Sequence, residues 1–240
     1  MCNVSCLGFV ETYVSESDVR GRRVLEVGSF DVNGSPRALI EILKPSEYRG
    51  VDIEMGPGVD EICRAEDLVE RFGPESFDLL ISTEMIEHVA DWKIVVSNFK
   101  RILKPGGKII ITTRSLGFPL HDYPSDHWRF EMSDMAMIFS DFESIVIESD
   151  PTSPGVFIGA VKPRHFEQKS LESIALHSMV AGQRSISSAE VEAVMAQRAL
   201  IESLQADVRS QLLRIEEFNR LKILRYTDRI RKVWVKAKHR

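Results

Sequence analysis

Cysteine is scarce in this chain of 240 residues, with only Cys2, Cys6 and Cys63. Three thiols so placed form neither a disulfide framework nor a zinc pattern with matching partners, so a reducing, cytoplasmic setting is expected and no metal ligand is assigned. Long hydrophobic runs are also missing. No apolar stretch approaches the ~20 residues needed to span a bilayer. Met1–Val10 lacks a basic n-region, so a secretory signal is not expected. An excess of positive charge is also missing outside one end of the chain. Nine Lys/Arg residues against the single Asp228 crowd into residues 220–240, which leaves the other 219 residues at about −13 within an overall −5. An acidic body with a basic end excludes a whole-domain nucleic-acid binder and marks the end as a separate device.

What remains is the composition of a globular protein, 43% hydrophobic and 28% charged, long enough for one α/β domain and an appendage. Strand-like segments at 23–27, 48–53, 60–63, 77–82, 107–113, 143–148 and 156–162 alternate with helix-like ones. That alternation predicts a mainly parallel seven-stranded sheet covered by helices, a Rossmann-like α/β fold, over residues 1–163. The turn at 150–154 is too short for a parallel crossover, so the last two strands form an antiparallel hairpin. From residue 164 the sequence reads as helix to its end. Val194, Ile201, Val208 and Ile215 recur every seven residues, with Gln197, Leu204, Gln211 and Phe218 three later. Such a seam suits a two-stranded coiled coil over 190–220 and equally a helix packed on its own domain.

The strand Val24–Val27 runs into Gly28, then Ser29-Phe30-Asp31, and a helix start at Ser35-Pro36. A strand-turn-helix of this kind is where α/β sheets hold nucleotide-like ligands. Asp52 ends the second strand 24 residues after Gly28, and its two acceptor oxygens match the adjacent hydroxyls of a ribose. The close-set glycines that admit a pyrophosphate are absent, and Glu26 and Asp31 would repel one. A cationic or zwitterionic ligand bearing a ribose fits better.

Four segments then carry a family resemblance: Val24–Gly28, Gly50–Asp52, Phe77–Val89 and Leu103–Thr113. Over residues 20–163 the chain resembles a class I S-adenosylmethionine (SAM)-dependent methyltransferase of the methyltransferase-11 type. The resemblance implies SAM as cofactor, with Glu26, Gly28 and Ser29 at its methionine part and Asp52, followed by Ile53, at its ribose. It also implies Ala65 and Glu66 at the adenine, in a loop where Arg64 stands in place of a frequent Asp. Thr83, Glu84 and His88 would line the space between cofactor and acceptor.

Residues 114–130 follow the fifth strand and contain two His, two Asp, two Arg and aromatic residues. His121 and His127 are candidate catalytic bases with Asp122 or Asp126 as orienters, since an unperturbed histidine titrates in the useful range. The competing reading is a structural plug of Trp128, Phe130 and an ion-paired Arg129. The expected activity is O-methylation of a small molecule or glycan intermediate. The alternative is a non-catalytic methyltransferase-like scaffold that oligomerises through its helical extension, 164–240. Homodimerisation through 190–220 is expected, and binding of an anionic membrane surface through 220–240, at the inner face of a membrane; a nucleic-acid partner is not.

Overall fold

The computed structural model describes residues 4–121, 126–187, 193, 196, 197, 199–215 and 227. It divides into two compact units, Met1–Val191 and Glu192–Arg240. In chain order the first unit contains α1 (Val4–Tyr13), α2 (Glu16–Val19), β1 (Arg23–Val27), α3 (Arg37–Ile42), β2 (Glu47–Asp52), β3 (Glu61–Ile62), α4 (Leu68–Phe72) and β4 (Phe77–Thr83). There follow α5 (Trp92–Ile102), β5 (Leu103–Arg114), β6 (Trp128–Arg129), α6 (Met132–Ile138), β7 (Glu143–Ser149), β8 (Gly155–Val161), β9 (Leu176–Ser178) and β10 (Gln183–Ser185). Two 3₁₀ turns, Ala65–Asp67 and Ile86–His88, sit beside the ends of β3 and β4.

Seven strands form one sheet in the order β3-β2-β1-β4-β5-β8-β7. The first five are parallel, and β8 enters antiparallel between β5 and β7, with Ile158 opposite both Ile111 and Ile147. This is the Rossmann-like sheet with a terminal hairpin expected from the alternation of segments. Central β4 is buried almost throughout, as a parallel strand covered on both faces should be. Helix α5 buries Trp92, Val95, Val96, Phe99 and Ile102, a single stripe at helical spacing. Helix α1 lays Cys6, Phe9 and Val10 against Ile110, Phe157, Leu79 and Ile81. Each such side chain contributes about 1.5–3 kcal/mol when fully buried.

The reading of everything beyond residue 163 as helix is corrected here. Strands β9 and β10 lie in that segment and pair antiparallel with each other and with β6, Trp128 facing Ser178 and Arg129 facing His177. The boundary at 163/164 therefore falls too early, because residues up to 187 fold onto the domain. Three-residue strands hold too little alternation to be read locally. The second unit is helical over 199–215. Its seam residues Ile201, Leu204, Val208 and Ile215 are exposed, whereas Val194 and Phe218 lie outside the described residues. So does the basic end, apart from Thr227. Among the described residues, no helix is long and apolar enough to cross a membrane.

Candidate active site

The carboxyl ends of β1, β2 and β4 open onto one cleft of about 600 Å³, where open α/β sheets place their ligands. All ten residues assigned to the cofactor from the sequence line it. Glu26, Gly28 and Ser29 come from the end of β1 and its turn. Asp52 and Ile53 follow from β2, Ala65 and Glu66 from the first 3₁₀ turn, Thr83 from the end of β4, and Glu84 and His88 from beyond it.

Local chemistry explains each placement. Gly28 has φ +80°, and a Cβ there would stand 2.6 Å from Met85 Cγ, so the turn needs glycine twice over. The N–H groups of Gly28 and Ser29 both donate to the Val51 carbonyl, at 3.0 and 3.1 Å, which ties the turn to β2. The longer turn beyond Ser29 is held by a side chain in place of the absent glycines: Asp31 accepts the Gly34 N–H at 2.8 Å. The Ser35 hydroxyl accepts the Arg37 N–H at 3.1 Å, at the start of α3. Asp52 accepts the Phe30 N–H at 3.1 Å and the Glu54 N–H at 3.3 Å, which fixes its carboxylate at the mouth of the cleft. Asn98 of α5 donates to the carbonyls of Ala65 and Glu66, and Arg64 is drawn onto the Glu66 carboxylate at 3.0 Å.

Two carboxyl groups of the cleft have displaced titrations. Burial pushes Glu26 up to about 7, against hydrogen bonds from Tyr48 and Ser35. Glu26 is thus half neutral at pH 7, and the repulsion of a diphosphate falls to Asp31 and the charged fraction of Glu26. Burial and the neighbouring Glu87 carboxylate push Glu84 up to about 9, although the Arg114 guanidinium lies against it. Glu84 also has φ +54°, a conformation that costs a side-chain-bearing residue energy and is concentrated at functional sites. The hydroxyl of Ser29 is buried and has no hydrogen-bond partner. An orphaned donor in the wall of a cleft is met by whatever polar group enters it.

The loop after β5 divides into two parts. Trp128, Arg129 and Phe130 are buried, and Arg129 grips both oxygens of buried Asp126, at 2.5 and 2.6 Å. Trp128 Nε1 donates to the carbonyls of Val89 and Ala90. That half is the structural plug of the competing reading. His127 lines the cleft, its titration held below the ordinary histidine value by burial and His88. His121 stands one layer back: its Nε2 is 3.1 Å from His88 Nε2, and its Nδ1 is 2.9 Å from Asp126 Oδ2. Burial lowers its pKa also, against the pull of Asp126. Asp126 accepts the backbone N–H of His121 at 3.1 Å, whereas Asp122 lies outside the described residues.

Three residues at the site carry no role in the sequence reading. Arg114 closes the back of the cleft by pairing with Glu84 and Asp150. The Cys6 thiol of α1 donates to Glu84 at 3.6 Å. Glu87 is fully buried between Thr113 and the histidines. The spacing Glu84-Met85-Ile86-Glu87-His88 is the one available signal for Glu87, since residues three apart on a tight turn share a side. Nothing local to the sequence indicates what Arg114 or Cys6 faces.

Comparison with known proteins agrees with this architecture. Residues 34–111 match a family described as a methyltransferase domain. A ubiquinone biosynthesis O-methyltransferase of Idiomarina loihiensis is 32% identical over 120 residues, which cover 45% of this chain and 47% of that enzyme. The chain spans about half the length of the curated relatives it matches first. Among solved structures, Haemonchus contortus phosphoethanolamine N-methyltransferase 2, in complex with S-adenosyl-L-methionine, superimposes with a TM-score of 0.52 at 19% identity, over 66% of this chain and 52% of that one. A Burkholderia thailandensis 1,6-didemethyltoxoflavin N1-methyltransferase, with its substrate and S-adenosylhomocysteine, gives 0.52 at 14% identity, over 66% and 78%. With the seven-stranded order and its antiparallel β8, these matches give the chain the fold of the SAM-dependent methyltransferases on which it superimposes, with residues 34–111 matching a methyltransferase domain.

Proposed function

We propose that the cleft binds SAM and that the protein transfers its methyl group to a hydroxyl oxygen of a small-molecule acceptor, a free metabolite or a glycan intermediate. One observation carries the reading: ten residues assigned by motif, from separate segments of the chain, line a single cleft. The buried, unpartnered Ser29 hydroxyl fits a polar ligand there. Oxygen as the acceptor atom is supported by the O-methyltransferase names of the sequence relatives.

In this reading Asp52 accepts the ribose hydroxyls. Glu26 at the end of β1 faces the amino group of the methionine part. SAM supplies an electrophilic methyl on a sulfonium, so positioning accounts for most of the rate. His127, neutral at pH 7 because its pKa is lowered, accepts the acceptor's proton from the cleft wall. His121 reaches the cleft only through His88. Glu84, raised to about 9, is neutral at pH 7 and presents a hydrogen-bond donor.

Isothermal titration with SAM and with S-adenosylhomocysteine tests this. Saturable binding is expected, and no heat at millimolar ligand would remove the enzyme reading in favour of a non-catalytic scaffold. We also propose that the exposed seam Ile201, Leu204, Val208 and Ile215 pairs two copies of the chain. Sedimentation at several concentrations should then show a dimer that Val208→Lys dissociates. Attraction of residues 220–240 to an anionic membrane surface, which would hold the protein at the inner face of a membrane, rests on their charge alone. It is tested by co-sedimentation with anionic and with neutral vesicles.

A further inference from the structure

We propose that Glu87, His88 and His121 form a binding site for a divalent transition-metal ion, of which zinc is the representative, beside the cleft on the side of His127. One ligand atom from each residue lies within 4.8 Å of the other two. His88 Nε2 and His121 Nε2 are 3.1 Å apart, and Glu87 Oε1 is 3.9 Å from His88 Nε2. Atoms bound tetrahedrally at ~2.0–2.1 Å from one ion stand a little over 3 Å apart. Closing the set needs only small side-chain movements.

Two further features point to an ion. Glu87 is fully buried, and its Oε1 has no hydrogen-bond partner, while its other oxygen accepts from Thr113 at 2.8 Å. A buried carboxylate oxygen left without a donor is costly unless a cation meets it. The second feature is the support behind His121. Its Nδ1 faces Asp126 Oδ2 at 2.9 Å, and Asp126 is itself clamped by Arg129. With its Nδ1 beside that carboxylate but not hydrogen-bonded to it, the ring presents its other nitrogen to His88, and a small rotation would give the carboxylate-backed arrangement found behind metal-bound histidines. In His121 that other nitrogen is Nε2, the atom facing His88 and Glu87. Two imidazoles and a carboxylate select zinc or a similar ion over magnesium or calcium.

A set of three protein ligands leaves a further position for water or a substrate oxygen. His88 is on the cleft wall beside His127. The ion's place there would orient the acceptor hydroxyl and favour its ionised form, a role that rests on the methyltransferase reading, whereas the metal site itself does not.

The test uses the untagged full chain after chelator treatment and dialysis. Zinc titrated by calorimetry should bind saturably, one per chain, at micromolar affinity or tighter. His88→Ala and His121→Ala should each weaken it about 100-fold or more, and Glu87→Gln, which keeps the volume and the Thr113 contact, at least tenfold. Far-ultraviolet circular dichroism and thermal unfolding of the same preparations show an intact fold in each variant, and S-adenosylhomocysteine is titrated into the wild type. Cobalt(II) in place of zinc should give a visible spectrum without a thiolate charge-transfer band. No one-to-one zinc binding by the wild type, binding unaltered in folded His88→Ala, or a thiolate band would each overturn the site. If S-adenosylhomocysteine binds and zinc does not, the metal proposal fails and the methyltransferase reading stands. If zinc binds and S-adenosylhomocysteine does not, the reverse holds.

Discussion

The two walls of the cleft are built on different principles. The wall made by Gly28, Ser29, Asp52 and Glu84 hangs from the ends of parallel strands, whose position is fixed by the sheet. The wall made by His88 and His127, with His121 behind it, has little regular structure to hang from, since β6 contributes two residues. It is held by buried ions instead: Arg129 on Asp126, and Arg114 on Asp150. A strand-end wall tolerates the loss of one side chain as a local change in ligand affinity. An ion-built wall does not, because removing one partner leaves a charge in the interior. The two walls should therefore fail in different ways, the first in binding and the second in folding.

The largest expected effect breaks the ion-built wall. Arg129→Met leaves Asp126 buried without its guanidinium partner, and such losses cost about 3–5 kcal/mol. Urea unfolding should show that drop, with β6 and the β9–β10 hairpin loosened first. A change under about 1 kcal/mol would mean that the clamp is not what holds the loop. Next in size is Gly28→Ala on the strand-end wall. The substitution puts a Cβ at positive φ and onto Met85, at a cost of about 1–3 kcal/mol for the strained backbone. It should appear as weaker S-adenosylhomocysteine binding as well as lower stability. Asp52→Ala sharpens the contrast, because its carboxylate is near the surface and accepts only two backbone N–H groups. Affinity for SAM should fall by about 1–3 kcal/mol, the cost of leaving a hydrogen-bonding group unmatched, with unfolding barely altered. An unchanged dissociation constant in calorimetry would remove Asp52 from the ribose.

The same contrast explains what could be read in advance. Val24, Leu25 and Val27 before Gly28, and Phe77 to Thr83 before Glu84, are local patterns, and the wall they build follows from them. The fold and the strand-end wall were legible for that reason. The other wall depends on residues far apart in the chain: His88 and His121 meet across 33 positions, and Trp128 pairs with Ser178 through a strand of three residues. No periodicity announces such contacts. The burial of Glu87 was illegible for a related reason, since the spacing from Glu84 gives its side of the turn, whereas an acidic residue after a strand reads as solvated.

Glu26 carries the last comparison, because it belongs to the strand-end wall yet is as buried as the ions of the other one. Tyr48 at 2.6 Å and Ser35 at 3.3 Å donate to it, but burial dominates and its pKa stands at about 7. A group whose folded pKa lies above its ordinary 4.5 favours the fold fully below that value. The advantage is lost as pH rises through about 7, where the carboxyl must ionise inside the protein. Ligand binding should run the opposite way. The amino group of SAM is a cation over this range and prefers the ionised carboxylate, so affinity rises with pH. Between pH 6 and pH 8 the ionised fraction grows about tenfold for a pKa near 7, which corresponds to ~1.4 kcal/mol. Calorimetry of S-adenosylhomocysteine, which keeps that amino group, should show the rise in the wild type, and Glu26→Gln should flatten it while gaining stability above pH 7. A flat wild-type profile would place the amino group away from Glu26 and would make that residue part of the sheet's interior alone.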